Sequence, residues 1–499
     1  MPVKSDSLLV GLSMGTTKTT MIVAERDRDY PDSVHVIGFG DAPSRGISRG
    51  VIVNIQEAQQ SVTKALQDAQ GMTGISSRKL SNVVVAFNAM DIKSESSHGF
   101  ITLPGMSSTR ESKSVERKDL DRLIGRARED LNVNLRNNLY SLHMIPTSYE
   151  LDGRPVDEPL NMNGNRLDMW LQTVAVPINH VQNVKDCVRK AGLEVKGLIL
   201  KPLASSLGAV YEEEMRSGCI SICIGGGTTG IVLYRGGRAF RVFSIPIGGD
   251  HIKSDLATVL HMHPGQAEQL KKIIFTTNPE ELRSEGIDVD LAVQVILARV
   301  EELFGDYVRA ALAECTPQHF PSGIILSGGV SKTPGIENIL ADILQMPVRK
   351  VSEPIYPLSY GLDNPAYVSA AGILKYCLIK ESDPYVFMDA EQFNNRTRRD
   401  ERDNRDDDNN NDNREDFDRV DSDDINERER DDTPEREDPR PPKREREKTR
   451  SKRPIYEEPD YYDPDNDDYE NDDYDDDPPK ENNLREAIGN FMTRLRGLF

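Results

Sequence analysis

Residues 221–237 read SICIGGGTTGIVLYRGG, an alternating apolar run, three glycines and two threonines, then a second apolar run. Alternation on both sides of a glycine turn predicts a β-hairpin. Glycines let backbone N–H groups converge on an anion, since no Cβ blocks the approach, and threonine hydroxyls add donors. The hairpin therefore reads either as a phosphate cradle or as an ordinary tight turn. No carboxylate stands on either side of it.

The same pattern occurs near the start of the chain. GLSMGTTKTTMIVAE (Gly11 to Glu25) echoes ICIGGGTTGIVLYRG (Ile222 to Gly236), about 210 residues later. That spacing is too long for a solenoid repeat. It predicts two similar domains, each presenting one turn to a shared cleft. The candidate phosphate ligands are Gly15, Thr16, Thr17 and Lys18 from the first turn. The second turn offers Gly225, Gly226, Gly227, Thr228 and Thr229. A third glycine turn, SGGV at Ser327 to Val330, follows an apolar run and precedes a helical one; its Gly328 and Gly329 suit the nucleoside end of such a ligand.

At 499 residues the chain is too long for one compact core, and two to four domains are expected. Its formal net charge is −21, unevenly spread. Residues 391–480 hold 36 acidic against 19 basic side chains, which leaves only about −4 for the rest. The same 90 positions hold 10 apolar residues and neither Leu nor Met, too few to offset the entropy of ordering, so an acidic disordered linker is expected. As a flexible coil it would reach roughly 50–60 Å. Cys187, Cys219, Cys223, Cys315 and Cys377 are sparse and lie mostly in apolar runs, as reduced buried thiols do. His261 and His263 lack companions at ligand spacing, so no metal site is expected. MPVKSDSLLVGLS has no apolar h-region, and no secretory signal is expected. No basic stripe supports nucleic-acid binding.

Residues 1 to about 390 alternate strand-like and helix-like runs, the pattern of an α/β protein. SNVVVAFN reads as a strand, ERKDLDRLIGRARED as a helix, and QVILARVEELFGDYVRAAL as a long amphipathic helix. The last 19 residues, ENNLREAIGNFMTRLRGLF, place Leu484, Ile488, Phe491, Met492, Leu495, Leu498 and Phe499 on one stripe of a 3.6-residue helix. Arg494 and Arg496 border that stripe. Phenylalanine and leucine on one side with arginine on the other suit the interface of an anionic bilayer. The competing occupant is a protein groove.

Longer stretches carry a family resemblance. RGISRGVIVNIQEAQQSV, MIPTSYELDGRPVDEPLNMNGNRLD, CVRKAGLEVKGLILKPLASSLGAVYEEE, SIPIGGDHIKSDLA, GQAEQLKK and NPAYVSAAGILKY occur in this order. In this the chain resembles the bacterial actin-like ATPases and, within them, the FtsA family of membrane tethers of the division ring. The resemblance covers nearly all of residues 7 to 380 and the last residues. It implies an actin-like (ASKHA) two-lobed α/β fold with an FtsA-type inserted subdomain and ATP in the central cleft. Residues 1–81 would open the first lobe, 82–167 form the insertion, and 168–205 continue the lobe. Residues 206–250 would open the second lobe, 251–309 form its small subdomain, and 310–390 complete it and return to the first. The linker 391–480 and the membrane-targeting amphipathic helix 481–499 follow. Glu268 and Lys271 would lie near the ribose and base, with Gly328 and Gly329 lining the adenosine pocket.

The resemblance also implies FtsZ, other divisome proteins, anionic lipid and further copies of the chain as partners, at the cytoplasmic face of the inner membrane. Four positions depart from the family's pattern. Ser13 and Cys223 stand where acidic residues usually hold hydrated magnesium, Gly230 where aspartate is common, and Lys201 where glutamate or glutamine orients water. No compensating carboxylate is evident nearby in sequence. The expectation is a nucleotide binder with weak magnesium dependence and slow or absent hydrolysis. The alternatives are an active ATPase filament of the same family and a PilM-like actin-fold adaptor of a type IV pilus machine. A sugar kinase lacks its catalytic aspartate here.

Overall fold

The computed structural model describes residues 8–393 apart from 28–29, 31–32, 104–112, 133–137, 314, 316, 356–361 and 384. Those residues belong to one compact unit. The linker beyond residue 393 and the terminal helix lie outside the described residues.

Two five-stranded sheets share one topology. In the first, Leu8–Met14 pairs antiparallel with Lys18–Arg26, which pairs antiparallel with Val34–Pro43. On its other side Leu8–Met14 runs parallel to Asn82–Phe87, and that strand runs parallel to Glu194–Leu200. The second sheet repeats this arrangement. Thr229–Arg235 lies antiparallel between Cys219–Ile224 and Arg238–Ile245, while Ile324–Ser327 and Val348–Lys350 continue it in parallel. The sequence echo is thus a duplicated sheet.

Helices cover the first sheet for reasons legible in their spacing. Ile55–Thr73 buries Ala58, Val62, Ala65, Leu66 and Ala69, a 3.6-period stripe. It is capped by Asn54, whose Oδ1 accepts the Gln56 and Glu57 amides at 3.0 and 3.2 Å. Ile178–Lys190 buries Val181, Val184, Cys187 and Val188 against the same core. Beside the second sheet, Gly249–Val259, Pro264–Ile273, Pro279–Ser284 and Val289–Glu302 build a small helical subdomain whose core is continuous with that sheet. The long amphipathic helix expected here passes through a π-helical turn at Leu303–Val308 before ending at Ala311.

The insertion is a four-stranded antiparallel sheet of Arg154–Val156, Leu139–Leu151, Arg166–Pro177 and Lys93–Thr102. Helix Arg117–Asn132 packs on it through Leu120, Leu123, Ile124 and Ala127. Its ends differ from the expected 82–167. Asn82–Phe87 sits between two parallel neighbours in the first-lobe sheet, and Val83 and Val85 are fully buried there. A strand buried on both faces reads as an unbroken apolar run, which VVVAF at residues 83–87 is. At the other end, Arg166–Pro177 remains in the insertion sheet along its whole length. Near the close of the described chain, Tyr385, Met388 and Phe393 enter the insertion's core, and Met144 N–H donates to the Met388 carbonyl at 2.7 Å.

Two helices meet at the heart of the fold. Lys201–Leu207 and Val368–Ser382 cross with Gly372 against the Ala204 carbonyl and Gly208 against the Val368 carbonyl. Backbone faces backbone, so neither neighbour yields to a Cβ. Gly372→Ala should therefore cost about 2–4 kcal/mol in denaturant unfolding. Gly71→Ala is the control: Gly71 is exposed on Ile55–Thr73 with no atom near its Cβ position. It should be neutral or stabilise by up to about 1 kcal/mol.

Candidate functional site

The two hairpin turns close with the same bond. Gly15 N–H donates to the Lys18 carbonyl at 3.1 Å, and Gly225 N–H to the Thr228 carbonyl at 2.8 Å. Ser13 pairs with Thr20 across the first hairpin as Cys223 pairs with Gly230 across the second. The tips touch: the Thr17 and Thr16 side chains occupy the space that a Cβ on Gly226 or Gly227 would take. A side chain at either glycine would force the turns apart.

The hydroxyls tie the turns in place. Thr16 Oγ1 accepts from Gly50 N–H at 3.0 Å. Asn88 Nδ2 donates to Thr228 Oγ1 at 2.9 Å and to Ser244 Oγ at 2.8 Å, joining the end of a first-lobe strand to the second lobe. Asn88 follows NVVVAF directly, and nothing in its local sequence marks it as a bridge. Thr229 is different from the other turn residues. It begins the next strand, is fully buried, and donates its hydroxyl to the Ile247 carbonyl at 2.8 Å. Its hydroxyl is committed to the fold and does not serve as a cleft donor, which corrects its place among the expected ligands.

Between the turns lies a cavity of about 40 Å³ lined by Gly15, Thr16, Asn88, Lys201, Cys223, Gly225, Gly226, Gly227 and Thr228. Lys201 is the first residue of Lys201–Leu207, and its ammonium lies against Gly15. Among the described residues no hydrogen bond or ion pair reaches it. Burial pushes its pKa below the ordinary lysine value, with Cys223 and Asp41 pulling weakly the other way. The strand before it is pinned from the insertion, since Leu200 N–H donates to Nε2 of His143 at 3.1 Å. His143 is fully buried and held neutral by that burial, its pKa pushed down to about 3.

Lys18 carries a related strain. Burial, with the Lys201 and Lys332 ammoniums nearby, brings its pKa down from 10.5 to about 8, although Asp41 opposes the shift. Lys18 Nζ lies 3.8 Å from Asp41 Oδ2 and 3.0 Å above the Tyr367 ring. Asp41 accepts from Thr20 Oγ1 at 2.6 Å and from the Tyr367 hydroxyl at 3.0 Å. A second carboxylate, Asp250, is anchored beside the other turn by its own N–H, which donates to the Gly226 carbonyl at 2.7 Å. Asp41 and Asp250 are thus carboxylates beside the turns that their places in the sequence do not announce. Each lies more than 20 residues from its turn in sequence and reaches it only through the sheets.

The unusual residues have packing reasons. Ser13 is buried and shares a 2.9 Å hydrogen bond with Ser369. Gly230 faces Pro202 so closely that a Cβ would stand 2.8 Å from Pro202 Cγ, which leaves no room for a carboxylate. On the nucleoside side, Gly249 N–H donates to the Gly225 carbonyl at 2.9 Å. Lys271 Nζ donates to the Gly249 carbonyl at 3.0 Å and pairs with Glu268 at 2.5 Å. Gly328 lies against the Ile224 backbone, and Val330 beside Gly249. Gly329 has open space around it. The third turn, Glu268 and Lys271 are thus gathered beside the second hairpin.

Lowered lysine pKa values mean that the unfolded chain binds more protons between about pH 8 and 10.5. Stability should rise with pH across that window, and the cost of the buried charges should be fully present below pH 8. Thermal unfolding between pH 7 and 10 checks the sign. Lys201→Met should stabilise the ligand-free chain at pH 7 by up to about 1 kcal/mol, since it removes a half-buried charge that no side chain pairs, and should flatten the rise.

Comparison with known proteins agrees with this geometry. The family model "Cell division protein FtsA" matches residues 220–372, and "SHS2 domain inserted in FTSA" matches residues 89–175. Cell division protein FtsA of Pseudomonas aeruginosa is 32% identical over 399 residues, covering 76% of this chain and 92% of that one. Cell division protein FtsA of Bacillus subtilis is 29% identical over 387 residues, covering 74% and 84%. Among solved structures, the PilM-PilN type IV pilus biogenesis complex aligns with a TM-score of 0.53 at 18% identity, over 76% of this chain and 99% of that chain. That last likeness is one of fold alone. With its duplicated actin-like sheets and its inserted SHS2 subdomain, the chain belongs to the cell division protein FtsA family.

Proposed function

We propose that this chain holds the phosphates of ATP between its two turns and tethers FtsZ filaments to the cytoplasmic membrane as a self-assembling adaptor. The observation that carries the nucleotide reading is the partnerless Lys201 ammonium facing two glycine turns across one cavity. An ammonium in that state lacks only an anion. Backbone N–H groups of Gly226 and Gly227, with Lys201 and Lys18, would bind and orient the phosphates, while Glu268, Lys271 and Gly328 would flank the adenosine end. A buried water needs about 10–15 Å³ on this measure, so the closed cavity has room for about three. Phosphates therefore enter when the turns part. Nucleotide would then replace direct turn-to-turn contact with contact through an anion, which makes it a conformational ligand of the subunit.

Magnesium supplies positive charge to polyphosphates in related chemistry. Here the ammonium groups near the turns would supply it instead, and Lys201, unlike a carboxylate or amide oxygen, cannot accept a hydrogen bond from an attacking water. Weak magnesium dependence and slow or absent hydrolysis follow. A second reading, an active ATPase, draws support from Asp41 and Asp250, the carboxylates beside the two turns. ATP affinity with and without magnesium, and phosphate release, separate the two. The adaptor reading expects affinity to change less than about threefold with magnesium and to fall about tenfold or more in Lys201→Met, the worth of one charge-assisted hydrogen bond. A steep magnesium requirement with brisk phosphate release would establish the ATPase instead.

The membrane half of the proposal rests on residues 481–499. Leu484, Ile488, Phe491, Met492, Leu495, Leu498 and Phe499 would enter the bilayer interface, with Arg494 and Arg496 at the anionic headgroups. One short helix grips lipid weakly, and a polymer joins many copies into firm attachment. No helix among the described residues is long and apolar enough to cross a membrane. Co-sedimentation with anionic liposomes should pellet the full chain, more strongly with ATP, and leave a version ending at Lys480 in solution. Equal pelleting of both versions would remove the terminal helix from the proposal.

A further inference from the structure

The cleft holds a thiol that the proposed function does not use. Cys223 stands on Cys219–Ile224 one residue before the strand's end and opposite Gly230 across the hairpin. Directly opposed residues of an antiparallel pair point to one side of the sheet. Gly230 abuts Pro202, the residue after Lys201. Cys223 and Lys201 therefore line the same cavity of about 40 Å³. The thiol shares that cavity with a half-buried ammonium that no other side chain pairs.

The other cysteines differ in surroundings. Cys187, Cys219 and Cys377 are buried, and burial pushes their thiols up to about 11, 12 and 12. Thiols in that state are poor nucleophiles. Cys315 is half-buried and packs at the edge of the second-lobe core. Cys219, on the same strand as Cys223, is four residues back, about 13 Å along a strand, which is beyond disulfide reach.

We infer that Cys223 is an oxidation site for small hydroperoxides, and that its oxidised form pairs with Lys201 and withdraws that ammonium from anion binding. Space for about three waters admits hydrogen peroxide without any parting of the turns. The thiol first loses its proton to solvent. Its sulfur then attacks one peroxide oxygen, the O–O bond breaks, an S–O bond forms, and the departing hydroxide takes up a proton as water. A second peroxide molecule repeats the step and yields the sulfinate. Cys219, the cysteine on the same strand, is too far to divert the sulfenic acid into a disulfide. The sulfinate carries one negative charge on two oxygens, the charge and shape of a carboxylate. It is a counter-ion for Lys201 inside the cavity, and it would repel an incoming phosphate. The oxidation stands on Cys223, Lys201 and the cavity alone, whereas its effect on ATP rests on the proposed function.

Treatment of the full chain with graded hydrogen peroxide, followed by mass spectrometry of its cysteine peptides, tests this. Cys223 should gain two oxygens about tenfold faster than Cys315. Lys201→Met should slow that gain, and Lys201→Arg, which keeps the charge, should leave it near native. ATP affinity of the same samples should fall in proportion to Cys223 oxidation and stay unchanged by peroxide in Cys223→Ser. Equal rates at Cys223 and Cys315, or Lys201→Met and Lys201→Arg oxidising alike, would overturn the site. Full oxidation with unaltered ATP affinity would overturn the pairing with Lys201. An untreated chain that binds no ATP would sink the nucleotide reading alone, and the peptide rates would still decide the oxidation site.

Discussion

An ammonium group without a counter-ion sits where two hairpin turns meet, and much of the structure around it serves to keep it there. Lys201 begins a helix whose backbone is locked against Val368–Ser382 by two glycines. The strand that delivers it is held by a neutral buried histidine from the insertion. The turn on one side is braced by Gly50, and the turn on the other by Asn88. A buried charge is tolerated only when the surrounding fold gains more elsewhere than the charge loses by leaving water. Here the gain is the apolar core that runs between the two sheets. The cost is a standing attraction for anions at one point in the cleft.

The duplicated sheet explains why that point lies where it does. Each sheet places its first hairpin turn at the same end, so the two turns face each other once the halves pack. The halves are not equivalent. The first turn carries Thr17 and Lys18 where the second carries Gly227 and Thr228. One turn therefore contributes bulk and charge, and the other gives way to it. The insertion adds a third party, since its strand Lys93–Thr102 reaches the second-lobe edge strand, with Val242 N–H donating to Ser94 Oγ at 3.2 Å. Opening of the cleft thus engages the insertion as well as the turns.

Much of this was legible before any fold was known. Alternation around glycine marked both hairpins, apolar spacing marked the helix over 117–132, and the echo between the two hairpins announced the duplication. Both glycine-bearing stretches folded as hairpin turns, because a glycine turn between two apolar strands has few other ways to fold. Thr229 was misjudged because adjacent threonines look alike in sequence, while the strand register turns one to the cleft and the other to the core. The insertion's start was misjudged because a short apolar strand does not say which sheet it joins.

Local pattern, then, determined the elements and the chemistry of the turns, since period, glycine placement and composition act over a few residues. Tertiary structure alone decided which distant groups share the cleft. Asp41, Asp250 and Asn88 come from three separate strands and helices, and His143 from a fourth. Their effect depends on distance and burial, through desolvation and Coulomb interaction. Both are properties of the packed chain and have no counterpart in the order of its residues.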